Sequence, residues 1–136
     1  MTEPTSPYAG SFWAEIGGSP TFEKIIATFY RGVATDPILR PLYPEEDLGP
    51  AEIRFRLFLE QYWGGPNAYS QLRGHPRLRM RHQPFAIGET ERDRWLHHMS
   101  VGLDSVSLTD EQRQTFWTYL VMTAHALVNA PESASR

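Results

Sequence analysis

Five histidines are the side chains best suited to bind a transition metal in this chain, because its 136 residues include no cysteine. That absence removes disulfides, thiolate zinc sites, iron–sulfur clusters and cysteine nucleophiles together. No His-Glu-x-x-His occurs, and no Glu-x-x-His pair falls on a helix, so zincin and di-iron bundle sites fail on spacing. His97 and His98 are adjacent, and a helix turns about 100° per residue, so they point different ways and read as a surface pair. His125, beside Ala124, reads as a satisfied helix histidine. His75, before Pro76, reads as a loop residue or short-helix cap. His82 follows an irregular, arginine-rich run. A lone histidine there is more often structural than ligating, and the residues alone leave its role open.

Haem relaxes the requirement, since its iron needs only one histidine from the protein. That imidazole must be neutral, with its other N–H held by an acceptor that fixes the tautomer. Arg73, Arg77, Arg79 and Arg81 lie within nine residues and could pair with the two propionates, although a solvated basic strip explains them equally well. No G-x-S-x-G and no GKS or GKT phosphate loop is present.

With 40% hydrophobic and 21% charged residues, the chain is of ordinary globular composition and long enough to bury one core. Four Trp, six Tyr and seven Phe suit a flat ligand or a normal core. A net charge of −3 argues against general nucleic-acid binding. No apolar run approaches the roughly 20 residues of a bilayer span, so no integral membrane segment is expected. The polar, Pro-containing start lacks a secretory core, so a cytoplasmic location is expected.

The elements that must position any site are helical. Residues 1–10 and 131–136 are expected to be flexible tails around one domain over residues 11–130. A short helix spans about Ser11 to Ile16. Ser19 is expected to cap the next helix, with Pro20 at its first position. Phe22, Ile25, Ile26, Phe29, Tyr30 and Val33 then recur at three- and four-residue spacing. Asp36-Pro37 stops that helix, and a short one follows through Leu42. From Pro50 to about Trp63, Ala51, Phe55, Phe58, Leu59 and Tyr62 share a face. Pro66, Pro76 and Pro84 permit only short turns before a helix near residues 90–106, with Trp95, Met99, Gly102, Leu103 and Val106 inward. The last helix, 109–129, opens on a Thr109–Gln112 capping box and buries Phe116, Leu120, Thr123, Ala124 and Leu127. Period-two alternation is confined to residues 77–81. The fold class is all-α.

Several blocks resemble group II truncated haemoglobins. They are Phe29-Tyr30, the run Leu42-Tyr43-Pro44-Glu45-Glu46-Asp47-Leu48, and Phe58-Leu59-Glu60-Gln61-Tyr62-Trp63-Gly64-Gly65-Pro66. Most specific is Arg73-Gly74-His75-Pro76-Arg77-Leu78-Arg79-Met80-Arg81-His82, followed by Pro84-Phe85 and Glu91-Arg92-Asp93 with Trp95. The resemblance covers roughly residues 12 to 129. It implies a truncated globin fold, a two-over-two helical sandwich around haem b (iron protoporphyrin IX). It makes His82 the iron ligand and lines the distal pocket with Phe29, Tyr30, Tyr43, Ala51, Phe55, Phe58 and Trp95. Tyr30, Tyr43 and Trp95 would lie nearest the bound gas, while Arg54, Arg79 and Tyr69 would contact the propionates. Phe55 departs from the pattern, since relatives usually carry a smaller or aliphatic residue there.

The implied function is binding of oxygen, carbon monoxide and nitric oxide, with slow oxygen release through Tyr and Trp hydrogen bonds. The alternative is a redox enzyme, a peroxidase or a nitric-oxide or oxygen detoxifier, which would need an external reductase. A homodimer is a further expected partner state, and a haem-free helical interaction module is the third reading.

Overall fold

The computed structural model describes residues 7–74, 77–82 and 85–129, without the side chains of Arg79 and Met80. His75, the outer parts of both expected tails and the Arg79 side chain therefore lie outside the described residues. Among those described there are seven α-helices and no strand: α1 (Phe12–Glu15), α2 (Ser19–Ala34), α3 (Gly49–Tyr62), α4 (Ala68–Arg73), α5 (Leu78–His82), α6 (Glu89–Asp104) and α7 (Asp110–Ala126). A single 3-10 turn, Arg40–Leu42, lies between α2 and α3.

The expected stripe on α2 builds the centre. Phe22, Ile25, Ile26, Phe29 and Val33 are completely buried, and α2 packs against both α3 and α6. Met99 and Leu103 of α6 and Phe116 and Leu120 of α7 close the core. The α2–α6 crossing is tight at Gly102, where a Cβ would fall 2.8 Å from the Ile25 carbonyl oxygen. Only glycine lets the two backbones approach that closely. The long helices thus form two packed layers, α2 with α3 and α6 with α7. No described helix is long and apolar enough to cross a membrane.

Local details depart from expectation where a distant partner takes over. Ser19 does not cap α2; Gly18 holds that position, and the Ser19 hydroxyl donates to Glu60 Oε1. Glu60 is buried, and its carboxylate also accepts from Trp13 Nε1 at 2.8 Å and Arg56 Nη1 at 2.6 Å. Three donors satisfy a charge that burial would otherwise penalise. The clip ties α1 and α2 to α3. Tyr8 meets Trp13 edge-on at 5.3 Å, so packing begins inside the segment expected to fray. Tyr62 lies on the outside of α3, 51% exposed, rather than on its inward face. The Thr109–Gln112 capping box forms as expected, with reciprocal bonds of 3.1 and 3.0 Å.

Candidate functional site

Between the two layers lies a cavity of about 450 Å³, within the size range of small-molecule and cofactor pockets. Its wall includes His82, Tyr30, Tyr43, Phe55, Phe58 and Trp95, and further contributions come from Ala51, Arg54 and Tyr69. Residues from α2 to α7 thus meet in one space, although they are spread over most of the sequence.

His82 closes α5. Its Nδ1 lies 2.7 Å from the Leu78 carbonyl oxygen, one helical turn back. A carbonyl only accepts, so Nδ1 carries a proton, and in the neutral imidazole Nε2 is then the nitrogen with a lone pair for a metal. The backbone beyond His82 is fastened by Asn129. Its amide nitrogen donates to the Phe85 carbonyl at 2.9 Å and the His82 carbonyl at 3.3 Å. The Ile87 N–H donates to Asn129 Oδ1, and the Asn129 N–H to the Ile87 carbonyl, both at 2.8 Å. Asn129 was not singled out in sequence, because nothing local marks an asparagine after a helix as a clasp for residues more than forty positions away. If His82 is the iron ligand of a bound haem, Asn129→Ala should leave the fold intact and speed haem loss about tenfold, the low end for residues that hold a metal ligand in place. Transfer of haem to an acceptor globin would measure it, and an unchanged rate would remove Asn129 from this role.

A cluster of rings forms another part of the wall. Tyr30 packs edge-on against Tyr43 at 5.7 Å and Phe55 at 6.3 Å, while Phe55 meets Trp95 at 5.9 Å. Phe29 is not on the wall. It is fully buried behind it, packing on Tyr30, Phe55 and Trp95 at 4.9, 5.5 and 5.8 Å. Burial, reinforced by the neighbouring Tyr43, raises the Tyr30 phenol well above its ordinary value, and burial likewise raises Tyr43. Both hydroxyls therefore keep their protons at neutral pH. The Tyr30 hydroxyl lies 3.4 Å from the Ala51 carbonyl, a long and weak contact, and it also donates to the Tyr43 hydroxyl, which leaves the Tyr43 O–H proton free to point at another acceptor.

The expected carboxylate-binding residues separate. Arg54 lies on the wall but is already paired with Glu45 at 2.9 Å. The Glu45 carboxyl is held below its ordinary range by its own backbone N–H and by that guanidinium. Tyr69 is buried, edge-on to Phe58 at 5.5 Å. Arg73, Arg81 and Arg92 also reach the cavity wall, so cationic groups from three elements border it.

His98 corrects the sequence reading more sharply. His97 is exposed as expected, but His98 is buried, with Nε2 2.6 Å from Asp36 Oδ2. A partner 62 residues away decided the matter, and adjacency to His97 concealed it.

The family model of bacterial-like globins matches residues 11–129. The chain belongs to that family, as a group II truncated haemoglobin. A group 2 truncated hemoglobin of Bacillus subtilis, YjbI, is 39% identical over 119 residues, covering 88% of this globin and 89% of that protein. A thermostable hemoglobin of the actinobacterium Thermobifida fusca has a similar crystal structure, with a TM-score of 0.87 and 59% identity over 90% of this chain and 99% of that one. The structure of a truncated oxygen-avid haemoglobin from Bacillus subtilis matches with a TM-score of 0.83 and 38% identity, covering 88% and 100%. Globin membership implies haem as the cofactor. The residues present fit it: one histidine of defined tautomer, flat aromatic walls, and arginines at the border for carboxylates.

Proposed function

We propose that this globin binds haem b through His82 Nε2 and retains oxygen by hydrogen bonds from Trp95, Tyr43 and Tyr30, with carbon monoxide and nitric oxide as alternative ligands. The carrying observation is the His82 ring on the wall of an aromatic cavity, with Nδ1 committed to the Leu78 carbonyl. When bound, haem supplies an iron centre that takes a diatomic ligand at the position its single protein ligand leaves free. The chain supplies the rest. Leu78 orients the imidazole, the ring cluster lines the pocket, and burial keeps both phenols protonated.

Trp Nε1–H can only donate, and a neutral phenol can donate as well. A buried bond to a charged acceptor contributes about 1.5–3 kcal/mol. Two such bonds would slow release of a ligand that gains negative charge by about 100- to 10,000-fold. Ala51 adds no polar group to the pocket. The likeness to a haemoglobin described as oxygen-avid supports tight retention. Absorption spectra of purified protein in ferric, ferrous and carbonyl forms test the reading. A protein without a Soret band, even after haem addition, would favour the haem-free interaction module instead.

One observation favours redox turnover with an external reductant as a second reading. Tyr119 lies on the cavity wall and stacks at 3.9 Å, 24° from parallel, on the half-exposed Tyr62. Burial pushes the Tyr119 phenol up to about 12, so it holds its proton at rest. Two stacked phenols joining the cavity to the surface would let a reductant act without entering. Tyr62→Ala should then lower peroxide-dependent oxidation of a phenolic reductant several-fold while leaving oxygen release unchanged. Equal turnover in both proteins would reject that route.

A further inference from the structure

Among the described residues, Asp36 is the most heavily engaged carboxylate outside the cavity, and its side chain is 0% exposed. Each oxygen has a separate task. Oδ1 accepts from the N–H groups of Ile38 at 2.8 Å and Leu39 at 3.2 Å, shaping the turn that leads into the 3-10 segment. Oδ2 accepts from Arg94 Nε at 3.0 Å and His98 Nε2 at 2.6 Å, both on α6. These residues flank Trp95 in sequence, and none of the three lines the cavity.

The turn continues directly to Tyr43. The Arg40 N–H donates to the Asp36 carbonyl at 2.9 Å, and its guanidinium donates to the carbonyls of Tyr43 and Glu45 at 2.9 and 2.7 Å. One carboxylate therefore joins the segment that carries Tyr43 to the helix that carries Trp95. The fold keeps a seat for this link. His98 lies so close to α2 that a Cβ on Gly32 would stand 2.2 Å from its Nδ1. The Phe29 ring, which backs Tyr30 and Trp95, meets the same imidazole edge-on at 6.5 Å.

We propose that Asp36, acting through His98 and Arg94, is a positioning residue that sets the spacing between Tyr43 and Trp95 in the ligand pocket. This rests on the reading of Trp95 as a hydrogen-bond donor to the ligand. Asp36→Asn separates the two tasks. Its amide oxygen can still accept from Ile38 and Leu39, but its NH₂ cannot accept from Arg94 and can meet His98 only as a donor, after the imidazole proton has moved to Nδ1. A double-mutant cycle on the haem-loaded protein, with Asp36→Asn, Trp95→Phe and both together, is the test.

Asp36→Asn alone should speed oxygen release about three- to tenfold, and in the Trp95→Phe background by less than about twofold, because coupled neighbours are not additive. In nuclear magnetic resonance spectra of the carbonyl form, the Trp95 indole N–H signal should move while those of Trp13, Trp63 and Trp117 stay. Gly32→Ala, which displaces the His98 ring and leaves the carboxylate intact, gives the same cycle should Asp36→Asn fold poorly. Equal acceleration in both backgrounds, with a large Trp95→Phe effect, would overturn the positioning role alone. No effect of Trp95→Phe would overturn the donor reading and this proposal with it.

Discussion

His82→Ala is expected to abolish the histidine-ligated spectra in the ferric, ferrous and carbonyl forms and to weaken haem binding by at least about 100-fold. Losing a group behind a metal ligand commonly costs 10- to 100-fold in affinity, and loss of the ligand itself should exceed that. The cavity would survive, because its aromatic walls belong to helices packed through the α2 core rather than through His82. Free imidazole should therefore enter the vacated space and restore much of the spectrum, which separates lost ligation from lost folding. Axial spectroscopy identical to that of the parent protein would show that iron takes another ligand and would detach the pocket assignments from their anchor.

Trp95→Phe should speed oxygen release by about 10- to 150-fold, the equivalent of one buried hydrogen bond to a charged acceptor. Carbon monoxide gains little negative charge, so its release should change far less. Phenylalanine preserves a ring beside Phe29 and Phe55, which now pack on Trp95 at 5.8 and 5.9 Å, so the substitution removes the N–H with little loss of packing. Stopped-flow displacement of oxygen and of carbon monoxide in the same two proteins would measure both rates. An unchanged oxygen rate would transfer the retaining role to Tyr30 and Tyr43.

The readable parts of this fold were those with a local period or local capping chemistry. The α2 stripe from Phe22 to Val33 follows from side-chain spacing, and the start of α7 follows from Thr109 and Gln112. The stretch from Pro66 to Ile87 has no long period, and its described residues include the short helices α4 and α5, too brief to show a repeating apolar face. His82 could be placed as a ligand only through family resemblance; its tautomer follows from the Leu78 carbonyl, a backbone group with no residue signature. Buried charge was the least legible feature. Glu60, Asp36 and His98 all look like surface residues until partners 41 to 62 positions away in sequence are brought to them. Arg54, expected at the propionates, lies on the cavity wall, and its pairing with Glu45 comes from a loop whose path sequence cannot show.

The Asn129 clasp has a consequence for biogenesis. The backbone at His82, Phe85 and Ile87 is fastened by a residue 42 to 47 positions later, beyond the end of the last helix. A nascent chain that ends before that residue lacks this fastening, which only synthesis through α7 completes.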